Sequence, residues 1–556
     1  MQDKTPMTLG SVIEHSVQRF ADRPAFSFVS GTPMTYAEFG EEVARVRAAL
    51  RRMQVRPGDR VAILSGNMPN WPIAWFAVTS MGAVVVPLLP DFHENEIGTF
   101  LRHAGCDVLF VSSRLFAKAR NLDLPTLRHR ILIDSFERIE DGVDEVQPGN
   151  NVPMWTPSMG LGDVADVHED DLASIIYTSG TTGKSKGVML THRNLVFNAT
   201  KVQTIQPVNQ DDVFLSILPL SHTYENTLGM ILPVLTGASV FYLEKPPTAS
   251  ALLPALEVVR PTIMLSVPLV IEKVYKQRVL PEVTKNGIMR RIHGTERGRK
   301  LLYKVAGKKL RKTFGGRLHF FGVGGAKLDP SVERFLREAR FPYAVGYGLT
   351  ETSPMLAGAN PQVVRYQSTG PAMEGLELRI AEQDNETGQG EIQARGPSVM
   401  RGYYNEPELT RDTFTEDGWF RTGDLGSFDE DGHLYIKGRL KNMIVSSAGE
   451  NIYPEEIESV INTHRYVLES LVMETKGKLV AHVHLNYEEI EAHFAHLKEE
   501  AMHFVQEKVE EILQEVHKSV NTSVNRFSQL YAVVEQRNPF EKTATQKIKR
   551  FMHQSA

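Results

Sequence analysis

The apolar residues of the chain alternate between two periods. Within residues 9–50 they recur at helical spacing on either side of the segment AFSFVSGTPMTY, which predicts two short strands around a Gly-Thr-Pro turn. Residues 58–88 then fit strand, loop, helix and strand, and residues 108–113 fit the next strand. Because strands that are apolar throughout alternate with helices, we expect a parallel sheet covered by helices on both faces.

The same alternation continues along most of the chain. Further apolar strands are predicted at 172–177, 212–222, 261–268 and 319–328, with apolar helical segments between several of them. Residues 391–432 are rich in strands and turns. The predicted fold class is therefore α/β.

A change in composition predicts a boundary near Gly438. It separates a large N-terminal domain, residues 1–437, from a smaller and more charged domain, residues 438–556. The smaller domain contains a long helical stretch. Its apolar positions are expected to face a core: Ile490, Phe494, Leu497, Val505, Val509, Ile512, Val516, Val520 and Val524.

Composition and charge narrow the class of protein. The 556 residues exceed what one hydrophobic core usually serves, and 42% hydrophobic with 23% charged residues is ordinary for a globular protein. The net charge of -5 gives no support for nucleic acid as a partner. The single cysteine, Cys106, cannot form an intrachain disulfide, and we find neither a leader peptide nor a run of about 18 apolar residues. We expect a multidomain cytoplasmic protein with a buried, inert thiol.

The segment TSGTTGKSKG directly follows the strand at 172–177 and has the residues of a phosphate-binding loop. Glycine lets backbone N–H groups turn towards an anion, hydroxyls donate further hydrogen bonds, and lysine supplies positive charge. Gly183, Lys184 and Ser185 match the second half of a Walker A loop, but Thr178 stands where its first glycine should be and Gly187 interrupts the helix. An ordinary surface turn is the other interpretation.

A basic segment lies at residues 285–317. It contains twelve Lys and Arg residues and one acidic residue, Glu296. One interpretation is a solvated helical surface, and the other is a site for anionic lipid or for the phosphates of a cofactor.

Later segments complete an ordered set of motifs. Along the chain stand TSGTTGKSKG, LPLSHTYE, GGAKL, GYGLTETS, RTGD, YIKGRLKNMI and TATQKIKR. This set resembles the adenylate-forming (AMP-binding) superfamily, and within it the long-chain fatty acyl-CoA synthetases, over nearly the whole chain. The resemblance implies a large N-terminal domain of several subdomains and a small, mobile α+β C-terminal domain. It also implies that a carboxylate attacks the α-phosphate of ATP and that the thiol of coenzyme A then displaces AMP.

The resemblance implies an ATP site made from separate parts of the chain. The first motif would hold the β- and γ-phosphates, glycine-rich segments and the Tyr347 ring would wall the adenine, and Thr350 would donate to the α-phosphate. Asp424 would accept hydrogen bonds from the ribose hydroxyls, with Arg439 beside it. The matching residues are Thr178, Ser179, Gly180, Thr181, Thr182, Gly183, Lys184, Gly325, Ala326, Tyr347, Gly348, Thr350, Asp424 and Arg439.

Four residues are candidates for the chemistry: Lys547, Thr350, Glu351 and His222. Glu351 matches the residue that helps to bind Mg²⁺, a hard cation that prefers carboxylate oxygen. Lys547 matches the lysine that bridges the attacking carboxylate and the α-phosphate as negative charge develops there.

The motif around Lys547 departs from the family pattern. Ala544 stands where proline is common, and Gln546 stands where a small or apolar residue is usual. Lys542 and Lys549 are therefore alternatives for the same role.

The second half-reaction is implied to involve rotation of the small domain. Lys441 matches the hinge, and the rotation brings the loop at 446–454 to the thiol tunnel, where Gly449 lets the backbone approach pantetheine. Ala448 departs from the second glycine that is common in the long-chain branch.

The motif LPLSHTYE bears on the substrate. Amino-acid-activating members often have aspartate at the position of His222, so an amino acid is disfavoured and a fatty acid is expected. The alternatives are an acyl-AMP ligase that serves a carrier protein, an aryl or other acid–CoA ligase, and a non-catalytic nucleotide- or acyl-binding relative that would lack Lys547 or Glu351. We also expect peripheral contact of the basic segment with anionic lipid at the inner face of a membrane, and we leave the oligomeric state open.

Overall fold

The computed structural model describes residues 7–140, 142–154, 165–178, 185–445, 451–475, 477–494, 501–543 and 548–553. The strands β1 to β13 are Pro24–Phe28, Met34–Thr35, Arg60–Leu64, Val84–Leu88, Val108–Val111, His129–Leu132, Glu137–Ile139, Val152–Pro153, Leu172–Thr178, Lys186–Thr191, Val213–Ser216, Ser239–Tyr242 and Ile263–Ser266. The strands β14 to β26 are Phe320–Val323, Tyr343–Gly348, Met355–Gly358, Glu377–Ala381, Gly390–Arg395, Gly402–Tyr403, Phe420–Phe428, Leu434–Arg439, Ile444–Val445, Asn451–Ile452, Val467–Thr475, Lys478–Leu485 and Ala532–Glu535.

The α-helices of the described residues are numbered in the same way. Helices α1 to α17 are Leu9–Phe20, Tyr36–Arg52, Asn70–Thr79, Glu94–Ala104, His192–Lys201, Thr223–Asn226, Leu232–Thr236, Ala249–Val259, Pro268–Val274, Leu280–Val283, Gly287–His293, Glu296–Thr313, Pro330–Glu338, Pro407–Thr413, Pro454–Ile461, Tyr487–Phe494 and Ala501–Ser523. A π-helical turn, Thr227–Ile231, joins α6 to α7, and another, Tyr275–Val279, joins α9 to α10.

Two large sheets form the N-terminal part. One has the order β16-β15-β14-β13-β11-β12-β1-β2, with parallel pairing from β15 to β1. The other has the order β19-β10-β9-β4-β3-β5-β6-β7-β8, with parallel pairing from β9 to β6. Their central strands are buried on both faces, which explains the continuous apolar runs in the sequence. The predicted α/β class with parallel sheets is confirmed.

One continuous core joins the two sheets. It includes Phe26 and Phe214 from the first sheet and Val61 and Phe110 from the second. Helix α3 lies within it and is apolar on every side, as expected of a helix surrounded by protein. Cys106 is also buried, so its expected burial is confirmed, and burial raises the pKa of its thiol to about 12.

Three smaller sheets follow among the described residues, one of them the two-stranded pair of β22 and β23. The strands β17, β18, β20 and β21 form an antiparallel sheet, and β24, β25 and β26 form a three-stranded sheet with its own hydrophobic core. Helices α16 and α17 lie within the helical stretch expected from the sequence. Five of the predicted core side chains are buried: Ile490, Val509, Ile512, Val516 and Val520. Val524 is partly buried against the same core, and the side chains of Phe494, Leu497 and Val505 lie outside the described residues.

Candidate active site

The phosphate-type motif connects two antiparallel strands, β9 and β10. Thr178 ends β9 and is directly opposite Lys186 at the start of β10. A Walker loop would lead into a helix, so this arrangement excludes the Walker interpretation. Residues 179–184, which include the predicted Ser179, Gly180, Thr181, Thr182, Gly183 and Lys184, lie outside the described residues.

The glycine-rich motifs lie side by side at the carboxyl ends of β14 and β15. These strands pair in parallel, so the turn with Gly325 and Ala326 lies next to the end of the strand with Tyr347 and Gly348. A side chain on Gly348 would come within 1.8 Å of the Pro354 carbonyl oxygen, so only glycine fits there. Open α/β sheets bind ligands at this edge.

Asp424 is the buried centre of a polar cluster. Its side chain accepts a hydrogen bond from the Tyr347 hydroxyl at 2.8 Å and pairs with Arg439 Nε at 2.7 Å. Asp424 is only 4% exposed, and it faces Arg439 across the β20–β21 ladder. Three of the predicted ATP residues, far apart in sequence, therefore meet. A carboxylate has about four acceptor sites, so a group of this kind is suited to accept hydrogen bonds from ribose hydroxyls.

The hydrogen bond from Tyr347 to Asp424 predicts that the Tyr347 hydroxyl contributes to ATP binding. Burial, followed by the charge of Asp424, raises the pKa of Tyr347 well above its usual value, so the phenol stays neutral and donates. Hydrogen bonds to charged groups contribute about 1.5–3 kcal/mol, so Tyr347→Phe should raise the KM for ATP roughly tenfold with little change in kcat. Steady-state kinetics test this. The matched control is Tyr487→Phe, which removes a 2.8 Å hydrogen bond to Glu535 in the small domain and should leave the KM for ATP unchanged. An unchanged KM in Tyr347→Phe would refute the expected role.

Glu351 lies at a second junction. It is on the short 3₁₀ turn Thr350–Thr352, directly after β15 and Leu349. The Tyr403 hydroxyl donates to Glu351 Oε1 at 2.9 Å, and the Lys186 ammonium lies 4.8 Å from the Tyr403 ring centroid. Tyr403 and Lys186 were not among the predicted site residues. Lys186 belonged to the phosphate motif, which was a usable signal, whereas nothing in the sequence near Tyr403 indicated its contact with Glu351.

Electrostatic interactions connect the two clusters. Burial lowers the pKa of Arg439, but attraction to Asp424, Tyr347 and Glu351 outweighs this effect and raises it, so the guanidinium stays charged. Burial lowers the pKa of Lys186, and the positive charge of Lys441 lowers it further, while Glu351 opposes both. The site therefore holds fixed positive charge next to carboxylates, as a polyphosphate with a cation requires.

The donor set fits magnesium bound mainly through a substrate. Among the described residues, no three His, Cys, Asp or Glu side chains cluster as a metal site. Mg²⁺ commonly uses one or two protein carboxylates together with phosphates and water. The single carboxylate of Glu351 is compatible with that mode.

His222 begins a buried polar turn. Its Nδ1 accepts a hydrogen bond from the Tyr224 N–H at 3.3 Å at the start of α6. The Tyr224 ring lies against β14, because a side chain added to Gly322 or Gly324 would come within 3.2 Å of it. His222 thus lies at the carboxyl-end edge of the same sheet, two residues before a side chain that contacts the glycine-rich strand.

Glu225, in the same motif, is a carboxyl group within the core. It is 2% exposed, and burial raises its pKa to about 8, while a hydrogen bond from Ser216 opposes the rise. A folded-state pKa above the unfolded value means that its contribution to stability is full below about pH 4.5 and is lost as the pH rises through about 8. The carboxyl group is therefore mostly neutral at pH 7.

Glu225→Gln should consequently flatten the pH dependence of stability. The amide has a similar shape and cannot ionise, so its free energy of unfolding should fall less than that of the wild type between about pH 5 and pH 8. Urea denaturation at several pH values measures this, with the exposed Glu430→Gln as the control. Equal slopes in the wild type and Glu225→Gln would show that Glu225 is not the titrating group.

Two positions connect the small domain to the N-terminal part. Lys441 is on the turn Leu440–Asn442 directly after Arg439. The Lys276 ammonium, on the π-helical turn Tyr275–Val279, donates to the Asn462 carbonyl at 2.7 Å and connects the end of α15 to the N-terminal part. Gly449 and Lys547 lie outside the described residues, as do Ala448, Ala544 and Gln546.

The two alternatives to Lys547 are engaged elsewhere. Lys542 pairs with Glu469 within the small domain. Lys549 lies 3.9 Å from Glu541. Their ammonium groups therefore have carboxylate partners within the small domain.

A family comparison decides the assignment. The model of the AMP-binding enzyme family matches residues 13–404. The chain belongs to the AMP-binding enzyme family. The family resemblance predicted from the motifs is confirmed, and so is the prediction that the chain is an enzyme of this type.

Other members of the AMP-binding family are similar over most of the chain. A long-chain-fatty-acid–CoA ligase of Mycobacterium bovis is 30% identical over 471 residues, which are 80% of this chain and 75% of that protein. Long chain acyl-CoA synthetase 1 of Arabidopsis thaliana is 29% identical over 91% of this chain and 83% of its own length. The structure of the Bacillus subtilis O-succinylbenzoate coenzyme A synthetase with AMP has a TM-score of 0.75 at 22% identity, with 98% of both chains covered, and supports the fold.

Proposed function

We propose that this enzyme converts a fatty acid to acyl-AMP with ATP and then transfers the acyl group to coenzyme A. The observation that carries the proposal is the cluster of Tyr347, Asp424 and Arg439 at the ligand-binding edge of the sheet. It has the acceptors and the fixed charge that a ribose with an adjacent phosphate needs. The long-chain relatives, which cover at least three quarters of this chain, support the choice of substrate.

ATP is held by residues from several of the family motifs. The hairpin loop from Thr178 to Lys184 holds the β- and γ-phosphates, and Thr350 donates to the α-phosphate. Asp424 and Arg439 bind the ribose. The adenine lies among Gly325, Ala326, Tyr347 and Gly348. Positioning and charge stabilisation account for most of the catalysis of phosphoryl-type reactions, so we expect these contacts to supply much of the rate acceleration.

Glu351 would hold Mg²⁺ together with the phosphates of ATP. The cation, when bound, would supply positive charge that offsets the triphosphate. The Tyr403 hydroxyl orients the carboxylate through its 2.9 Å hydrogen bond, and Lys186 adds a second positive charge nearby.

Lys547 is proposed as the catalytic lysine of the first step. The fatty acid carboxylate oxygen forms a bond to the α-phosphorus, and the bond to the bridging oxygen of pyrophosphate breaks. Lys547 stabilises the charge on the oxygens involved. The carboxylate partners of Lys542 and Lys549 favour Lys547 over these two alternatives.

The second step requires the small domain in a different orientation. We propose a division at residues 1–437 and 438–556, with the hinge at Lys441. Rotation brings the loop with Gly449 to the thiol, which attacks the acyl carbonyl and releases AMP. The separate hydrophobic core of the three-stranded sheet supports a domain that can move as one unit.

We propose that the enzyme acts in the cytoplasm, in peripheral contact with the inner face of a membrane that contains anionic lipid. The buried single thiol fits a reducing compartment, and the basic segment at 285–317 fits an anionic surface. Among the described residues, no helix combines the length and the apolar character needed to cross a bilayer.

A substrate panel tests the proposal. The enzyme is incubated with ATP, Mg²⁺ and coenzyme A together with fatty acids of several chain lengths, aryl acids or amino acids, and AMP and thioester are measured together. Equal amounts of AMP and fatty acyl-CoA are expected. Adenylate without thioester would instead indicate a ligase that serves a carrier protein, turnover only with aryl acids would indicate an aryl-CoA ligase, and no AMP with any acid would indicate a non-catalytic binder.

A further inference from the structure

The basic segment folds into two helices whose outer faces combine cations with exposed apolar side chains. Helix α12 buries Tyr303, Gly307 and Leu310 on its inner face. Gly307 lies so close to α13 that an added side chain would come within 2.8 Å of the Ala339 carbonyl oxygen, which fixes α12 on the protein surface. Its opposite face is therefore directed to solvent.

That outer face is unusual for a solvated helix. Leu301 is 63% exposed and Val305, one turn later, is 65% exposed. Ile288 on the neighbouring helix α11 is 74% exposed. Single exposed apolar residues are normal on a protein surface. Three of them within one basic segment form an apolar cluster whose exposure to water is unfavourable.

Cations surround these apolar side chains. Lys304, Lys308 and Lys312 follow one another at helical spacing on the same exposed side of α12 as Leu301 and Val305. Within the described part of the chain, no carboxylate forms an ion pair with these three lysines, whereas Lys300 pairs with Glu296 and Lys309 pairs with Glu282. The surface defined by Leu301, Lys304, Val305, Lys308 and Lys312 is called the α12 face below.

We propose that the α12 face, with Ile288 beside it, docks on a bilayer that contains anionic lipid and inserts its apolar side chains between the headgroups. The lysines supply the attraction to lipid phosphates, and Leu301 and Val305 supply the apolar contact that distinguishes a lipid surface from other polyanions. Nucleic acid offers the same negative charge but no acyl layer for exposed aliphatic side chains. This inference rests on the proposed function in one respect: binding to a membrane would give the enzyme access to the fatty acid there.

Vesicle sedimentation with the full chain tests the proposal. The wild type should bind vesicles of phosphatidylcholine with phosphatidylglycerol and should not bind phosphatidylcholine alone. Each cation near an anionic membrane surface increases the binding constant by a factor of about five. The triple variant Lys304→Glu with Lys308→Glu and Lys312→Glu should therefore bind the vesicles roughly a hundredfold more weakly, or more weakly still. The control triple, Lys245→Glu with Lys518→Glu and Arg526→Glu, makes the same change in net charge at exposed positions elsewhere and should bind nearly as well as the wild type.

A second variant separates insertion from charge. Leu301→Ser with Val305→Ser keeps every lysine, so it should still bind at low salt but should lose the part of the binding that the wild type keeps at high salt. Val258→Ser with Val363→Ser, at exposed sites outside the basic segment, is its control. Ligase activity with dissolved fatty acid should be unchanged in all of these variants, so failure of the ligase assay and failure of vesicle binding can be distinguished.

Three outcomes would overturn the proposal. The wild type could fail to bind the anionic vesicles, or the α12 and control triples could bind equally well. The third is tight binding of an RNA oligomer that is lost in the α12 triple and unaffected by Leu301→Ser with Val305→Ser, which would assign the surface to nucleic acid instead.

Discussion

Lys547→Ala is expected to slow adenylate formation by roughly a thousandfold, because the lysine acts on charge that develops only in the transition state. The affinity for ATP should stay within about a factor of two, because most of the proposed ATP contacts come from the N-terminal part. Pyrophosphate release in a single turnover measures the first quantity, and calorimetric titration with ATP measures the second.

The neighbouring lysines supply the controls for this experiment. Lys542→Ala and Lys549→Ala remove ammonium groups that pair with Glu469 and Glu541, so each should retain most of the adenylation rate. Lys547→Ala should also convert synthetic acyl-AMP and coenzyme A to thioester at a near-normal rate, since that step does not need the lysine. A comparable loss of adenylation in Lys542→Ala, or a loss of ATP affinity as large as the loss of rate in Lys547→Ala, would contradict the assignment.

Asp424→Ala is expected to lower kcat/KM for ATP by roughly a hundredfold or more. The substitution removes the ribose acceptor and leaves the Arg439 charge without the carboxylate that lies 2.7 Å from it. Each hydrogen bond to a charged acceptor contributes about 1.5–3 kcal/mol, so the loss of two ribose hydrogen bonds is consistent with an effect of this size. Asp424→Asn keeps the shape and loses the charge, so its kcat/KM should lie between those of the wild type and Asp424→Ala.

Deoxy-ATP shows whether the loss comes from the ribose contact. The wild type should use 2′-deoxy-ATP less well than ATP, and Asp424→Ala should use both equally. Thermal unfolding of each variant shows whether a lower activity results from a loss of folded protein. If Asp424→Ala still favoured ATP by the wild-type ratio, the ribose contact would belong to another residue.

The sequence predicted the layers of the fold better than the contacts of the site. Strands that are buried on both faces leave continuous apolar runs, so the parallel sheets were predictable from residues 58–88 and 108–113. The failed Walker match was also informative, because Gly187 interrupts the expected helix and lies in β10 of the hairpin. One of the apolar helical segments predicted between the strands contains a π-helical turn, Thr227–Ile231, for which the apolar pattern gave no signal.

Local sequence patterns could not predict contacts between residues that are far apart in the chain. Tyr403 donates to Glu351 from 52 positions away, and Tyr347 donates to Asp424 from 77 positions away. The family motifs named Tyr347 and Asp424, yet nothing in the spacing indicated their hydrogen bond. Glu225 likewise resembles any solvent-exposed glutamate in the sequence, because its burial follows from how the turn at His222 packs into the core.

The central claim is that the carboxylate of a fatty acid attacks the α-phosphate of ATP. The most direct test supplies a fatty acid whose carboxylate carries heavy oxygen, together with ATP, Mg²⁺ and coenzyme A, and weighs the AMP by mass spectrometry. One labelled oxygen should appear in the phosphate of AMP, because that oxygen bridges the acyl group and phosphorus in the adenylate and stays on phosphorus when the thiol attacks. Unlabelled AMP, or ADP in place of AMP, would contradict the account.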